Sequence, residues 1–166
     1  MKLILTRHAK SSWDDPLCAD VDRVLNPRGR KDAQALGQWL AAKGYVPDQA
    51  LVSSATRMQE TLSLMCEAGG FAPEVTLLSA LYHASDFQIL SQLRAAKGDV
   101  VLLLGHNPGI GDFAAHFAQT PHTHADFIRY PTGATTVYQI DASDWSRVGF
   151  GTNEVVDFIT PRELTK

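Results

Sequence analysis

Apolar residues along this chain alternate between short continuous runs and longer stretches with helical spacing. The short runs at 2–6, 50–57 and 99–105 have the length of buried strands, the second of them leading into a loop. The longer stretches repeat an apolar residue every three or four positions and end at glycine, which is typical of helices that bury one face. This alternation predicts one α/β domain with a mainly parallel central sheet flanked by helices.

Local signals mark where the helices begin. Asn26 before Pro27 is a typical N-cap followed by a first-turn proline, and Ser85 with Gln88 resembles a capping box. The predicted helices cover 27–43, 58–69, 86–97 and 108–118, and the further strands cover 74–82, 135–140 and 148–158. The chain has no repeat, linker or low-complexity segment, so we expect residues 1–166 to form a single domain.

Composition narrows the class of protein. The 166 residues are 45% hydrophobic and 20% charged, which is ordinary for a soluble globular protein with a proper core. A formal net charge of −3 gives no electrostatic reason to expect a nucleic-acid or membrane partner. The N-terminus lacks the pattern of a signal peptide, and two cysteines do not make a disulfide framework. We therefore expect a cytoplasmic protein, and a monomer.

Three polar clusters follow three of the predicted strands. Arg7 and His8 end the first strand, residues 53–57 follow the second, and residues 105–107 end the strongest one. Ligand sites in open α/β sheets form beyond the carboxyl ends of the strands. The three clusters are therefore expected at the same edge of the sheet.

These clusters have the chemistry of a phosphoryl site. The guanidiniums of Arg7 and Arg57 match phosphate oxygens, and they would lower the pKa of His8 and His106 and keep both imidazoles neutral. A neutral imidazole can attack phosphorus and form a covalent phosphohistidine. Backbone amides around Asn107, near a predicted helix start, would add donors aimed at an anion. This chemistry requires no metal ion or other cofactor.

The segments RHAKSSWDD, SSATRMQET and VVLLLGHNPGI, in this order, resemble motifs of the histidine phosphatase superfamily, the phosphoglycerate-mutase-like group. The first is similar to that of the small bacterial SixA-type phosphohistidine phosphatases, and the resemblance spans nearly the whole chain. It implies a three-layer phosphoglycerate-mutase-like fold and a metal-independent phosphatase. It also implies that His8 is the nucleophile, that Arg7, Arg57 and His106 bind phosphate, and that Ser11 lies in the phosphate pocket.

The chain departs from the family pattern at informative positions. Ala9 replaces the usual glycine, and Ala55 stands near the usual proline. Mutases and ester-cleaving members carry a glutamate general acid in the segment that corresponds to 79–85, which contains no glutamate here. Losing a positioned acid typically costs ~10²–10⁴-fold in rate, but a phosphohistidine has an imidazole leaving group that depends less on such an acid. This absence favours phosphohistidine in proteins as the substrate, with His83 and Asp86 as candidate substitute acids.

Several other functions stay open at this stage. The chain could hydrolyse small phosphate esters, act as a mutase, or bind phosphate or phosphoproteins without catalysis, although a mere binder has no need of His8. A small phosphorylated compound is therefore the alternative partner to a phosphorylated protein, with His83 and Asn107 also expected to contact the substrate. Whether residues 119–131 close over the site is not decided by the sequence.

Three further motifs have weaker claims. His122, His124 and Asp126 are metal-ligand types at close spacing, but a solvated or substrate-facing loop fits them better than a metal site. The segment 20–24 mimics an aspartyl-phosphate motif, yet it does not follow an apolar strand. The cations Lys10, Arg28, Arg30 and Lys31 form either a basic rim for an anionic substrate or a solvated face.

Overall fold

A six-stranded sheet forms the centre of the protein in a computed structural model that describes residues 1–165. The strands are Lys2–Arg7 (β1), Gln49–Ser53 (β2), Glu74–Leu78 (β3), Val100–Gly105 (β4), Thr135–Gln139 (β5) and Glu154–Ile159 (β6). Their order across the sheet is β3-β2-β4-β1-β5-β6. The first four in this order pair in parallel, whereas β5 runs antiparallel to both of its neighbours. The mainly parallel sheet predicted from the sequence is confirmed.

The helices begin where local signals predict them. They are Pro27–Lys43 (α1), Thr56–Gly69 (α2), Asp86–Leu93 (α3), Gly109–Phe117 (α4) and Pro161–Leu164 (α5). The Asn26 Oδ1 atom accepts a hydrogen bond from the Gly29 N–H at 2.7 Å, and α1 ends at Gly44, whose φ is 77°. Ser85 and Gln88 form the predicted capping box of α3. No helix within residues 1–165 is long and apolar enough to cross a bilayer.

Some predicted boundaries were wrong, and the pairing of strands explains why. β3 ends at Leu78 because its partner β2 ends opposite it at Ser53, so residues 79–81 turn into a 3₁₀ helix instead of continuing the strand. β6 begins only at Glu154, because the buried Asn153 amide donates to two carbonyls and holds the preceding residues in a loop. α3 ends four residues before the expected Lys97, and α5 was not predicted.

Apolar side chains fill both faces of the sheet. In β1, Leu3 and Leu5 pack on the face covered by α3 and α4, whereas Ile4 packs on the face covered by α1 and α2. Residues 101–104 of β4 are all fully buried, because helices cover this central strand on both sides. The three-layer α/β fold follows from this double burial, which also explains the continuous apolar run that marks β4 in the sequence.

Gly29 fixes how closely α1 approaches the segment that follows β1. A Cβ atom at Gly29 would lie 2.0 Å from the Lys10 carbonyl oxygen. Replacing glycine by alanine inside a helix usually stabilises a protein by about 1 kcal/mol, but a backbone clash of this kind reverses the sign. We expect Gly29→Ala to lower the free energy of unfolding by about 1–3 kcal/mol in urea denaturation. Gly149→Ala is the control, since nothing lies within 4 Å of its added Cβ, and an equal effect of both changes would refute the close packing of α1.

Candidate active site

The parallel pairing of β1 and β4 brings two histidines together. Arg7 lies opposite Gly105 in this register, so the next residues, His8 and His106, leave the sheet at the same edge. Their ring centroids are 5.6 Å apart, and the backbone N–H of His8 donates to the Gly105 carbonyl at 3.3 Å. The structure thus places both imidazoles where the strand pattern predicts them.

Two arginines flank the imidazoles. Arg57 lies in the first turn of α2, and its side chain is 3% exposed, with Nη2 donating to His106 Nδ1 at 3.2 Å. Arg7 donates from Nη1 to the Tyr130 carbonyl at 3.1 Å, whereas its Nε is buried and has no hydrogen-bond partner. A buried donor without a partner costs free energy unless a ligand satisfies it. The arrangement therefore suits an anionic ligand.

All seven residues that the sequence predicts for the site line one open cavity of about 340 Å³. The predicted residues are Arg7, His8, Ser11, Arg57, His83, His106 and Asn107. Lys10, Trp13, Asp20, Arg23 and Thr132 complete the lining. The sequence therefore predicts seven of the twelve residues that line this cavity.

His8 is held as a neutral imidazole with its lone pair on Nε2. Its Nδ1 lies 2.7 Å from the Ala9 carbonyl oxygen, and because a carbonyl can only accept, Nδ1 carries the proton. Burial, followed by the charges of Arg7 and Arg57, lowers the pKa of His8 to about 4, against the opposing effect of the bond to Ala9. At neutral pH the Nε2 atom is therefore available as a nucleophile.

His106 is neutral with the opposite tautomer. The Arg57 guanidinium can only donate, so His106 Nδ1 accepts, and its Nε2–H donates to Ser53 Oγ at 2.8 Å. Burial, followed by the nearby His8 and Arg57, lowers the pKa of His106 to about 3. Ser53 at the end of β2 thus fixes the ring, a role that was not predicted although the residue belongs to a predicted motif.

Thr61 joins the segment that carries His8 to the helix that carries Arg57. Its Oγ1 accepts from the Ala9 N–H at 3.1 Å and donates to the Arg57 carbonyl at 2.7 Å. Ala9 is fully buried and lies outside the left-handed region of φ, so an alanine replaces the usual glycine here without backbone strain. This hydroxyl bridge keeps the imidazole of His8 and the Arg57 guanidinium in a fixed relation.

Arg23 adds a third guanidinium to the site. Its Nη2 donates to Ser11 Oγ, its Nε donates to the Ser12 carbonyl at 3.1 Å, and its guanidinium carbon lies 3.2 Å from the centre of the Trp13 ring. Arg23 was not predicted, because the segment 10–26 is largely irregular and has no period from which the direction of a side chain follows.

Asp20 places a carboxylate among these cations. It accepts from Arg57 Nη2 and Arg23 Nη1, both at 3.1 Å, and from the Tyr82 hydroxyl, and it lies 3.3 Å from His83 Nε2. The Tyr82 hydroxyl, followed by the hydrogen bonds of Arg23 and Arg57, holds the pKa of Asp20 well below its usual range. Asp20 is therefore ionised and occupies guanidinium donors that a phosphoryl group would need.

The two candidate acids lie in different surroundings. His83 has a φ of 51°, a left-handed conformation that costs on the order of 1 kcal/mol outside glycine, and its ring centroid lies 5.1 Å from that of His106. Asp86 instead lies 2.6 Å from His116 Nδ1 and is not part of the cavity lining within residues 1–165. The geometry keeps His83 as a candidate and separates Asp86 from the site.

Residues 119–131 are anchored where they approach the site. Phe127 and Tyr130 are fully buried, and the Tyr130 hydroxyl donates to the Leu5 carbonyl at 2.9 Å. Asn107 Nδ2 donates to the carbonyls of Arg129 and Tyr130, both at 3.1 Å. The side chain of Asn107 therefore ties this segment down, and the part of the segment beside the cavity is not a free lid.

His122 and His124 take part in local turns. His122 Nδ1 accepts from the His124 N–H at 3.1 Å, and His124 Nε2 lies 3.3 Å from a Glu163 oxygen. In the described part of the chain, residues 1–165, no group of three or more His, Cys, Asp or Glu residues is arranged to hold a metal ion.

The two neutral histidines make stability depend on pH. Both have folded pKa values below the ordinary 6.5, so their stabilising contribution is fully present above pH 6.5. Below that pH the unfolded chain takes up protons that the folded protein binds only near pH 4 and pH 3. We expect the free energy of unfolding to fall from about pH 6.5 to about pH 4, by at most about 1.4 kcal/mol per pH unit for each histidine. Urea denaturation at several pH values measures this slope. The slope should be smaller in His8→Asn and in His106→Asn, and an unchanged slope in both variants would contradict the prediction.

The Asp20 carboxylate should weaken anion binding, since it competes for the same guanidiniums. We expect Asp20→Asn to bind inorganic phosphate or vanadate about 3- to 10-fold more tightly than the unchanged protein. Isothermal titration calorimetry measures the affinities. Asp22→Asn is the control, because Asp22 is exposed in the same turn and does not line the cavity. Weaker binding by Asp20→Asn would show that Asp20 mainly positions the arginines.

Comparison with known proteins identifies the family of this chain. The sequence profile described as the histidine phosphatase superfamily (branch 1) matches residues 3–82. An uncharacterised protein of Mycobacterium tuberculosis is 33% identical over 163 residues, which cover 94% of this chain and 99% of that protein. An uncharacterised chloroplastic protein of Arabidopsis thaliana is 37% identical over 119 residues, and the chain spans 55% of its length.

Solved structures extend the similarity to the whole fold. A SixA protein of Agrobacterium tumefaciens superposes with a TM-score of 0.79 at 25% identity, covering 96% of this chain and 97% of that one. The protein histidine phosphatase SixA in complex with tungstate superposes with a TM-score of 0.80 over 99% of each chain, and at 20% identity this match shows the fold alone. The chain belongs to the histidine phosphatase superfamily, with the SixA-like form of its phosphoglycerate-mutase-like fold.

Proposed function

We propose that the protein is a metal-independent phosphatase that uses His8 as its nucleophile and removes phosphoryl groups from phosphohistidine in proteins. One observation carries this proposal. The neutral His8 imidazole, with its lone pair on Nε2, lies in a cavity also lined by the guanidiniums of Arg7, Arg23 and Arg57. The family assignment supports a phosphatase, and the site geometry supports this particular route.

In the first step, His8 Nε2 attacks the phosphorus atom and the bond from phosphorus to the substrate imidazole breaks. The substrate reacts with a proton from solvent already on its other ring nitrogen, so the ring departs as a neutral imidazole. Catalysis of phosphoryl transfer depends mainly on positioning and on compensation of charge at the oxygens. Arg57 and the unpaired Nε–H of Arg7 supply donors for those oxygens, and Arg57 turns from Asp20 to the phosphoryl group as it binds.

His106 completes the charge compensation. Once a phosphoryl group takes the Arg57 guanidinium, His106 Nδ1 loses its donor and faces a dianion, which raises its pKa. It can then bind a proton on Nδ1 and donate it in a hydrogen bond to a phosphoryl oxygen. Ser53 keeps the ring orientation throughout, since it holds Nε2 on the other side.

In the second step, water attacks the phosphorus opposite His8 and the bond from phosphorus to Nε2 breaks. The products are inorganic phosphate and a neutral His8, whose Nδ1 has kept its proton and its hydrogen bond to the Ala9 carbonyl throughout. The cycle requires no oxidant, reductant or metal ion.

The site favours a substrate whose leaving group needs little help from an acid. Segment 79–85 contributes no carboxylic acid, and the carboxylate that does contact it, Asp20, is ionised by its hydrogen-bond donors. An alkoxide leaving group would require a proton from an enzyme acid, which neither segment 79–85 nor Asp20 supplies as a carboxylic acid, whereas an imidazole protonated by solvent requires none from the enzyme. His83 is the remaining candidate donor for esters. The SixA protein of Agrobacterium tumefaciens, which is described as a phosphohistidine phosphatase, supports the same substrate class.

Parallel assays test the substrate class and the nucleophile together. In the presence of a metal chelator, we expect a phosphohistidine protein and phosphoramidate to be hydrolysed at least about 10²-fold faster than a panel of phosphate esters. His8→Ala should reduce the turnover of phosphohistidine by roughly 10³-fold or more, as removal of a nucleophile does. The same variant should still bind vanadate, because the guanidiniums remain.

Three results would contradict the proposal. Faster turnover of sugar-phosphate esters would assign the protein to small-ester hydrolysis, and activity that disappears with chelator would require a metal. Binding of phosphate without any turnover by the unchanged protein would make it a binding domain.

A further inference from the structure

A second cavity, of about 150 Å³, adjoins the catalytic cavity. Lys10 and Thr132 line both cavities, so the two openings are adjacent. Its other walls include Arg28 in the first turn of α1, Arg129 in the segment before β5, and Arg162 in α5. None of these three arginines lines the catalytic cavity.

The charge of this second cavity is positive. Lys10, Arg28, Arg129 and Arg162 face two carboxylates, Asp32 and Asp126. Arg28 pairs with Asp32 at 3.5 Å and Arg129 pairs with Asp126 at 2.8 Å. Within residues 1–165, no ion pair neutralises Lys10 or Arg162, so the cavity keeps about two positive charges for a ligand.

The walls of the second cavity are tied to the catalytic strand on both sides. The Lys10 carbonyl accepts from the Asn26 N–H at 3.0 Å and lies directly against Gly29 of α1. On the other side, the Gly133 N–H donates to the carbonyls of Arg7 and His8 at 3.1 and 2.9 Å. An anion bound in this cavity would therefore lie in a fixed relation to the nucleophile.

Within residues 1–165, Lys10 and Arg162 have no ion-pair partner, so they suit an incoming anion. The carboxylates of Asp32 and Asp126 are already held by other arginines of the lining and do not occupy these two cations. The anions that a protein carries on its own side chains are mainly carboxylates. On a folded protein, a glutamate or aspartate close to the phosphorylated histidine would present such a group beside the phosphoryl group.

We propose that this second cavity binds an acidic side chain that neighbours the phosphohistidine of the protein substrate. This inference rests on the proposed function and adds to it a rule for the choice of substrate. Phosphoryl groups flanked by acidic residues are recognised at two places, and phosphoramidate, which has no second anion, is recognised only at the first.

Two phosphohistidine peptides of equal length test this rule, one with glutamates and one with glutamines on both sides of the modified histidine. We expect the unchanged protein to hydrolyse the glutamate peptide with a kcat/KM about 3- to 10-fold higher. Arg162→Glu should abolish or invert this preference and leave the turnover of phosphoramidate unchanged, because Arg162 lies outside the catalytic cavity. Lys97→Glu is the matched control, an exposed cation reversed before β4, at the opposite end of the sheet.

The outcomes separate the two proposals. Equal rates on both peptides, or an equal loss of preference in Lys97→Glu, would overturn the role of the second cavity alone. An Arg162→Glu variant that loses phosphoramidate turnover to the same extent would also overturn it. If the unchanged protein hydrolyses neither peptide nor phosphoramidate, the proposed function fails and the role of the cavity fails with it.

Discussion

The register between β1 and β4 is the constraint on which the site depends. It places Arg7 opposite Gly105, and it therefore brings His8 and His106 out of the sheet as neighbours. A slip by one residue would turn every side chain of β1 to the other face. Such a slip would expose the apolar residues that fill both layers of the core, so the requirement to bury them also fixes the distance between the imidazoles.

Burial acts differently on the two kinds of base at this edge. An imidazole taken out of water releases its proton readily, and the lowered pKa values of His8 and His106 show this effect. A guanidinium keeps its proton in the same surroundings, so its charge must be met by hydrogen bonds and by an anion. The ionised carboxylate of Asp20 provides that anion in the free protein, where it accepts hydrogen bonds from two of the three guanidiniums that line the cavity.

The sequence predicts those features that local or short-range physics decides. Asn26 and Ser85 cap the helices that they were expected to cap, and the ends of the strands place the two histidines as the topology of parallel sheets requires. The direction of β5 could not be predicted, because alternation along a strand is the same for both directions. Asp20 and Arg23 were missed for a related reason, since both lie in an irregular segment. Asp20 is positioned by Arg57, which is distant in sequence, and Arg23 is positioned by its stacking on the Trp13 ring.

The carboxylate of Asp20 also bears on the kind of phosphoryl chemistry that the cavity favours. It contacts Tyr82 and His83, in the segment where the resemblance expects a glutamate acid. The Tyr82 hydroxyl, followed by two guanidiniums, lowers its pKa, so it is ionised and unable to give a proton. In the proposed cycle, the same carboxylate would return to Arg57 when phosphate leaves, which would favour release of the product. A mutase must retain its phosphoryl group through a second transfer, and an internal anion that competes for the binding guanidiniums works against retention. Competition between Asp20 and phosphate for Arg57 therefore fits the proposed hydrolysis better than transfer by a mutase.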